Sequence, residues 1–220
     1  MCGRFAISHI PGFFSRFMVH DPGIEIQPRF NIAPTQDVPV IVSQSPNRAV
    51  FMRWGLIPFW AKDPKIGSRL INARAETIAT SPAFRASAKK RRCLVPATGF
   101  YEWMKTGKRK IPYYCHLKGD DFFAFAGLYD RWKTPEGTDL RTFTIVTTVP
   151  NALVSKLHNR MPVILQREFE EEWLRPGPLP APELKKMLRP YPAGEMEVYR
   201  VPLEVGDPRN ESEAFVRPIV

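Results

Sequence analysis

The sequence predicts an α+β fold: one domain, residues 1–220, with a mostly antiparallel, barrel-like β-sheet core flanked by short helices. The chain length fits one or two domains of ordinary size, and no repeat or low-complexity stretch divides it. Short apolar runs follow one another without a regular strand–helix alternation, which favours an antiparallel sheet. Proline accounts for 23 residues spread along the chain, which implies many turns and short elements.

The predicted strands are short runs rich in β-branched and aromatic residues, bounded by turn-forming residues. They cover residues 38–43, 50–57, 93–97, 99–104, 111–117, 122–128, 143–149 and 196–203. The segment Lys105–Lys108 separates two of these strands and contains a glycine, which is typical of a hairpin turn.

The predicted helices are short and amphipathic. They cover residues 12–19, 82–90, 151–157, 168–174 and 182–188. Phe13, Phe14 and Phe17 have helical spacing in the first of them. Ser81 and Pro82 supply an N-cap and a first-turn proline for the second.

An excess of positive charge indicates a polyanionic partner. Lys and Arg number 32 against 22 Asp and Glu, which gives a formal net charge of +10. This excess favours nucleic acid as the partner, although a merely soluble basic protein has the same composition. Basic clusters at 89–92 and 105–110 supply charge for a phosphate backbone.

The composition also excludes several classes of protein. No apolar run approaches the ~18–20 residues of a membrane span, so we expect no membrane contact. We expect a cytoplasmic protein, nucleoid-associated in a bacterium or nuclear in a eukaryote. Three cysteines without C-x-x-C spacing argue against a disulfide framework and a zinc site. We therefore expect no metal site, with Cys93 and Cys115 in the core. We also expect a monomer without a cofactor.

The start of the chain, Met1-Cys2, becomes chemically unusual if Met1 is removed. Cys2 would then carry a free α-amine, with a pKa of about 7.7–8, beside a thiol with a pKa of about 8.5. The amine can condense with an aldehyde to a Schiff base, which the thiol closes to a thiazolidine. The thiol alone can instead attack an acyl carbon. The structural alternative is that Cys2 merely follows the start codon.

A polar stretch at residues 71–76 offers an amide beside charged groups. If this stretch is extended, Asn72, Arg74 and Glu76 share one face. An Asn and an Arg together can grip a phosphate or orient an amine. The alternative is that Asn72 caps a turn and takes no part in chemistry.

Two further segments supply groups for proton transfer. Glu102 lies within an aromatic run, where desolvation would raise the pKa of its carboxyl toward a useful acid/base range. His158 follows a predicted helix, and an imidazole exchanges protons near neutral pH. Each has a structural alternative: Glu102 can pair with Lys105 or Arg109 at the surface, and His158 can terminate its helix favourably as a cation near the negative end of the helix dipole.

The segment from Trp54 to Trp60 adds aromatic surface between Arg53 and Lys62. It is typical of a platform for unpaired bases, and base stacking on an aromatic ring is worth about 1–3 kcal/mol. Core packing is the alternative and suits Trp54 best. Phe59 and Trp60 are the better candidates for exposure, because they precede a charged loop.

These motifs together resemble the SOS-response-associated peptidase (SRAP) family, which includes proteins that process and shield abasic sites. The matching segments follow the family's order over nearly the whole chain. They are MCGRF at 1–5, N-x-A-P-T at 31–35, W-G-x-x-P-x-W at 54–60, INARAET at 71–77, CLVPATGFYEW at 93–103, FTIVTT at 143–148 and H-x-R-M-P at 158–162.

The resemblance implies that Cys2, as the new N-terminus, cross-links to the aldehyde of an abasic site in single-stranded DNA as a thiazolidine. It also implies a peptidase-like removal of Met1 with Cys2 as nucleophile. The residues it points to are Cys2, Asn72, Glu102 and His158 in the active site, and Arg4, Arg74 and Arg160 on the DNA backbone. By its chemistry, Glu102 would act as acid and base, His158 would shuttle protons, and Asn72 would position the Cys2 amine or a phosphate.

Two other function classes remain alternatives. An N-terminal-nucleophile amidotransferase also opens with Met-Cys-Gly, but Arg4-Phe5 follows here instead of Ile and a Gly-rich segment. A non-catalytic reader of modified DNA explains the charge and the tryptophans, but not the combination of Cys2, Glu102 and His158. The chain departs from the family pattern near its end, where residues 205–211 match loosely.

Overall fold

The computed structural model describes residues 2–20, 22–44, 46–119 and 122–219, which form an α+β fold as predicted. The predicted processing of Met1 lies outside these residues. In the described ranges the strands are β1 Phe5–Ile7, β2 Arg29–Ile32, β3 Asp37–Val42, β4 Arg48–Trp54, β5 Asn72–Arg74, β6 Arg92–Ala97, β7 Gly99–Thr106, β8 Arg109–Leu117, β9 Phe123–Lys133, β10 Asp139–Thr148, β11 Met161–Pro162 and β12 Met196–Arg200. The α-helices are α1 Phe13–Arg16, α2 Arg85–Lys90, α3 Arg167–Leu174 and α4 Ala181–Met187.

Five strands close into a barrel. In the order β4, β3, β6, β9 and β10, each strand pairs with the next, and β10 returns to β4. These pairings are antiparallel except that of β10 with β4, in which Phe143 lies opposite Trp54. Closure leaves no free edge along the paired strands. β10 continues past the barrel and pairs in parallel with β5, which places Asn72 opposite Ile145.

A second, five-stranded sheet in the order β12, β8, β7, β1 and β2 carries the start of the chain. β1 pairs antiparallel with β7, and Phe5 lies opposite Phe100. Cys2 therefore approaches along the strand that carries Glu102. The predicted hairpin turn joins β7 to β8 between Thr106 and Arg109, and Gly107 there has the positive φ of 59° that this turn type needs.

Aromatic packing joins the two sheets. The ring of Phe5, from the second sheet, lies 5.2 Å from that of Trp54 and 5.8 Å from that of Phe125, both from the barrel. Trp54 in turn stacks on Phe143 at 6.3 Å. Each ring is fully buried, and truncating such a side chain to Ala typically costs about 3–5 kcal/mol. This packing holds β1, and with it Cys2, against the barrel.

The strands differ from prediction mainly at their ends, and the shortest strands were missed. β9 continues to Lys133 instead of residue 128, and β10 begins at Asp139 instead of residue 143. β4 ends at Trp54 instead of residue 57, because Gly55 has a φ of 122° and a Cβ there would lie 2.7 Å from the Gly67 carbonyl oxygen. The last predicted strand, 196–203, ends at Arg200. The four strands β1, β2, β5 and β11 were not predicted, because two to four residues show no measurable alternation.

The first three predicted helices are shorter in the structure or are not α-helical. The segment 12–19 is α-helical only over Phe13–Arg16. α2 begins at Arg85, and the expected cap by Ser81 and Pro82 is wrong, since Phe84 precedes the helix without a side-chain cap. The segment 151–157 holds a 3₁₀ turn at Val154–Lys156. The α3 and α4 helices agree with prediction to within one residue at each end. Among the described residues, no helix is long and apolar enough to cross a membrane.

Candidate active site around Cys2

Cys2 is fully buried, just before β1, and its surroundings keep its thiol protonated. Its Sγ lies 3.9 Å from the backbone oxygen of Arg4. Burial raises the pKa of the Cys2 thiol well above its usual value, and the charge of Glu102 raises it further. A thiolate is therefore scarce at neutral pH, so any reaction of Cys2 needs a neighbouring group to remove the thiol proton.

Asn72 ties β5 to the start of the chain. Its Nδ2 donates a hydrogen bond to the backbone oxygen of Cys2, at 2.8 Å. Its Oδ1 is buried and has no hydrogen-bond partner among the described residues. A buried amide oxygen without a donor is costly in a folded protein. The Nδ2 of Asn72 thus holds the side chain against Cys2, and its Oδ1 remains available to accept a hydrogen bond from another donor.

Glu102 places a carboxyl of near-neutral pKa beside Cys2. It lies on β7 opposite Tyr113 of β8 and is only 3% exposed. Desolvation by burial raises the pKa of its carboxyl from 4.5 to about 7. Near neutral pH the group therefore exists in both forms, which is what a residue needs to give a proton and take one back.

His158 follows the 3₁₀ turn Val154–Lys156 and has a defined tautomer when neutral. The backbone N–H of Arg160 donates to its Nδ1 at 3.0 Å. Because Nδ1 is an acceptor, the neutral ring carries its proton on Nε2. Burial lowers the pKa of the imidazole, which favours this neutral form. His158 therefore presents a hydrogen-bond donor.

Three arginines near these groups differ in what they already bind. Arg160 makes a bidentate pair with Glu76, at 2.6 and 2.9 Å. Arg4 donates to the side chain of Asn31 at 2.6 Å and to two backbone oxygens of the C-terminal segment. Arg74 is exposed, and within the described part of the chain its side chain has no hydrogen bond or ion pair. The expectation that Glu76 shares a strand face with Asn72 is wrong, since β5 ends at Arg74 and Glu76 lies in the following turn.

Comparison with known proteins decides the family. The family model "SOS response associated peptidase (SRAP)" matches residues 1–208. This chain is a member of the SRAP family. It is 46% identical to the abasic site processing protein YoqW of Bacillus subtilis over 98% of this chain and 99% of that protein. It is 32% identical to the abasic site processing protein HMCES of Gallus gallus, over 88% of this chain and 67% of that protein.

The SRAP fold is also found in solved structures. A crystal structure of a protein from Bacteroides thetaiotaomicron is 31% identical to this chain, with a TM-score of 0.91 and full coverage of both chains. A protein from Bordetella bronchiseptica is 25% identical with a TM-score of 0.79, over 92% of this chain and all of the other. The family model ends before the last twelve residues, in the region where the sequence matches the family loosely.

The aromatic segment of this SRAP chain divides into a buried and an exposed part. Trp54 is fully buried, and its Nε1 donates to the backbone oxygen of Ile71 at 2.8 Å. Its assignment to base stacking is therefore wrong, because a DNA base cannot reach the ring. Phe59 and Trp60 are 59% and 48% exposed. Their loop is anchored to the barrel, since the backbone N–H of Phe59 donates to the carboxylate of the buried Asp130, on β9, at 3.1 Å.

Two groups near the SRAP site escaped the sequence analysis. Thr147 accepts a hydrogen bond from Arg160 on its backbone oxygen, at 2.6 Å, and so positions the guanidinium. Cys115 is buried as predicted, but it is also close enough to Glu102 and Cys2 for their charges to act with burial in raising the pKa of its thiol. Neither contact shows in the sequence, because each depends on the tertiary fold, which brings the segment before β11 back to β10 and places Cys2 beside the β7–β8 hairpin. The described residues contain no cluster of His, Cys, Asp or Glu that could hold a metal ion.

Proposed function

We propose that this SRAP chain processes abasic sites in single-stranded DNA by forming a thiazolidine between Cys2 and the ring-opened sugar. The observation that carries the proposal is the burial of Cys2 against Asn72 and beside Glu102, whose carboxyl has a pKa of about 7. An aminothiol needs a group that both donates and accepts protons at neutral pH, and Glu102 meets this need. The names of the curated relatives support abasic-site DNA as the substrate.

The first step is hydrolysis of the Met1–Cys2 peptide bond, since Cys2 has no free amine while Met1 is attached. The Cys2 thiol attacks the carbonyl carbon of Met1, the amide nitrogen leaves with a proton, and water then hydrolyses the thioester. The products are free methionine and a Cys2 with both its amine and its thiol. The buried, protonated thiol gives up its proton to Glu102 in this step.

The cross-link then forms with loss of one water. The Cys2 amine adds to the sugar aldehyde, and Glu102 protonates the departing hydroxyl to leave a Schiff base. The Cys2 sulfur adds to the imine carbon, its proton passes to Glu102, and the ring nitrogen takes a proton. His158 donates a hydrogen bond from Nε2 to the sugar oxygen during ring opening, a role that follows from the hydrogen bond at its Nδ1. Asn72 holds the Cys2 backbone in place.

The DNA strand is held by charge and stacking. Arg74 is exposed and unpaired within the described residues, and it would contact a phosphate beside the lesion. Phe59 and Trp60 would stack on unpaired bases, a contact that requires single-stranded DNA. Arg160 would contact a second phosphate, and Arg4 would support Cys2 from the side. We expect the protein to act as a monomer without a cofactor.

A denaturing gel tests the proposal. Protein whose loss of Met1 has been verified by intact mass is incubated with single-stranded DNA carrying one abasic site. We expect a shifted band that is absent with Cys2→Ala and absent with undamaged DNA. Cys2→Ser whose loss of Met1 has been verified in the same way is the matched control, since it then keeps the amine but cannot close a thiazolidine. A pure DNA-binding module would leave no Cys2-dependent band, and that result would refute the proposal.

A further inference from the structure

A carboxylate occupies the site on Arg160 that a phosphate would use. Nη1 and Nη2 of Arg160 donate to Oε1 and Oε2 of Glu76 at 2.6 and 2.9 Å. Two parallel N–H···O bonds of this kind are also how an arginine binds a phosphate. The guanidinium lies close to the candidate active site, because it also donates to Thr147, which is paired with Arg74 on β5, the strand that carries Asn72. Glu76 therefore blocks a cationic group next to the chemistry.

Arg160 is held in position without Glu76. Its Nη2 donates to the backbone oxygen of Thr147 at 2.6 Å and lies 3.4 Å from the Thr147 hydroxyl. The Arg160 side chain is 14% exposed, whereas that of Glu76 is 49% exposed and lies in a turn after β5. Glu76 can therefore rotate into solvent while Arg160 stays in place. The guanidinium is then preorganised for an incoming phosphate.

We propose that Glu76 is a specificity-determining residue that occupies the phosphate position of Arg160 until a DNA strand displaces it. The inference rests on the proposed function and adds a competitor to it. Every strand must exchange with Glu76, so non-covalent binding of undamaged DNA is weakened. An abasic strand is retained by its covalent bond and loses less. Glu76 therefore increases the preference for the lesion.

Removal of the Glu76 charge tests the inference. Glu76→Gln and the control Glu171→Gln remove the same charge, the control from an exposed position on α3. Binding of fluorescent, undamaged single-stranded DNA is measured at several salt concentrations. We expect Glu76→Gln to bind about two- to fivefold tighter than wild type, the range of an exposed ion pair. Its salt slope should stay close to that of wild type, because Arg160 contacts the same phosphate in both complexes once Glu76 has been displaced.

The outcomes separate this inference from the proposed function. Equal tightening by both variants, or unchanged or weaker binding by Glu76→Gln, overturns the role of Glu76. Glu76→Ala, which removes the residual amide hydrogen bond, should tighten binding in the same direction. Wild-type cross-linking is measured in parallel with abasic DNA. Cross-linking without tighter binding by Glu76→Gln refutes only the inference, whereas tighter binding without any cross-link supports it and refutes the proposed chemistry. If neither wild type nor Glu76→Gln binds undamaged DNA, the role of Glu76 is overturned, and if wild type also forms no cross-link with abasic DNA, both proposals are overturned.

Discussion

At the scale of the residue, the burial that gives the Glu102 carboxyl a useful pKa also lowers the stability of the folded protein. Burial raises the pKa of its carboxyl from 4.5 to about 7. Between these values the unfolded chain has lost the proton that the folded protein keeps, so the free energy of unfolding falls as the pH rises. The change corresponds to about 3 kcal/mol once the pH exceeds 7. The ionised Glu102 carboxylate therefore lowers the free energy of unfolding in the same pH range in which it can transfer protons.

Glu102→Gln should separate the two effects. The amide has no titration, so relative to wild type the variant should become more stable by about 3 kcal/mol between pH 4 and pH 8. Its rate of cross-linking should fall by a factor of about 10²–10⁴, because general acid–base catalysis is lost. Chemical denaturation at each pH and single-turnover gels measure the two quantities. A stability difference that stays constant with pH would contradict the raised pKa, and Glu171→Gln, at an exposed site, is the control.

At the scale of the element, the loop after β4 turns an aromatic run into one core residue and two surface residues. The sequence could place the strand and the aromatic run, but not the division between them. That division depends on Gly55, whose backbone turns against Gly67, and on Asp130, whose carboxylate fixes the loop from a distant strand. The same limit applies to β5: three residues carry no strand pattern, and only their pairing with β10 brings Asn72 to Cys2.

Truncating the two exposed side chains of this loop should therefore leave the stability of the fold nearly unchanged but weaken DNA binding. Phe59→Ala and Trp60→Ala should each weaken binding of single-stranded DNA by about 1–3 kcal/mol, the value of one base stacked on an aromatic ring. Fluorescence titration measures the affinity, and thermal melting should show little change. Phe51→Ala is the matched control, since Phe51 is 45% exposed on β4 outside this loop. Equal weakening by all three variants would contradict a specific stacking role.

At the scale of the whole molecule, the C-terminal segment is a structural part of the site's support. Asn31 is fully buried on β2, and its Nδ2 donates to the backbone oxygens of Asp207 and Asn210 at 2.9 and 2.8 Å. Its Oδ1 accepts from Arg4, whose guanidinium also donates to the oxygen of Val205 at 2.7 Å. These contacts explain why the sequence of this segment can match the family pattern poorly. The contacts use backbone oxygens, which many side-chain sequences can supply.

Asn31→Ala should weaken the attachment of the C-terminal segment. It should also disturb the position of Cys2, because Asn31 binds Arg4, two residues after Cys2. The variant removes the partner of one Arg4 N–H and of the Asn210 backbone oxygen, at about 1–3 kcal/mol each before relaxation, while the Asp207 oxygen still accepts from the backbone N–H of Asn210. Relative to wild type, hydrogen exchange should become faster in residues 203–216 but not in the barrel. The rate of cross-linking should fall as well. Asn210→Ala is the control, since its side chain makes one exposed bond, to the oxygen of Glu204. If Asn31→Ala exchanged its C-terminal amides at the wild-type rate, the segment would be held by its apolar contacts, such as those of the buried Phe215, and Arg4 would be positioned by β1 alone.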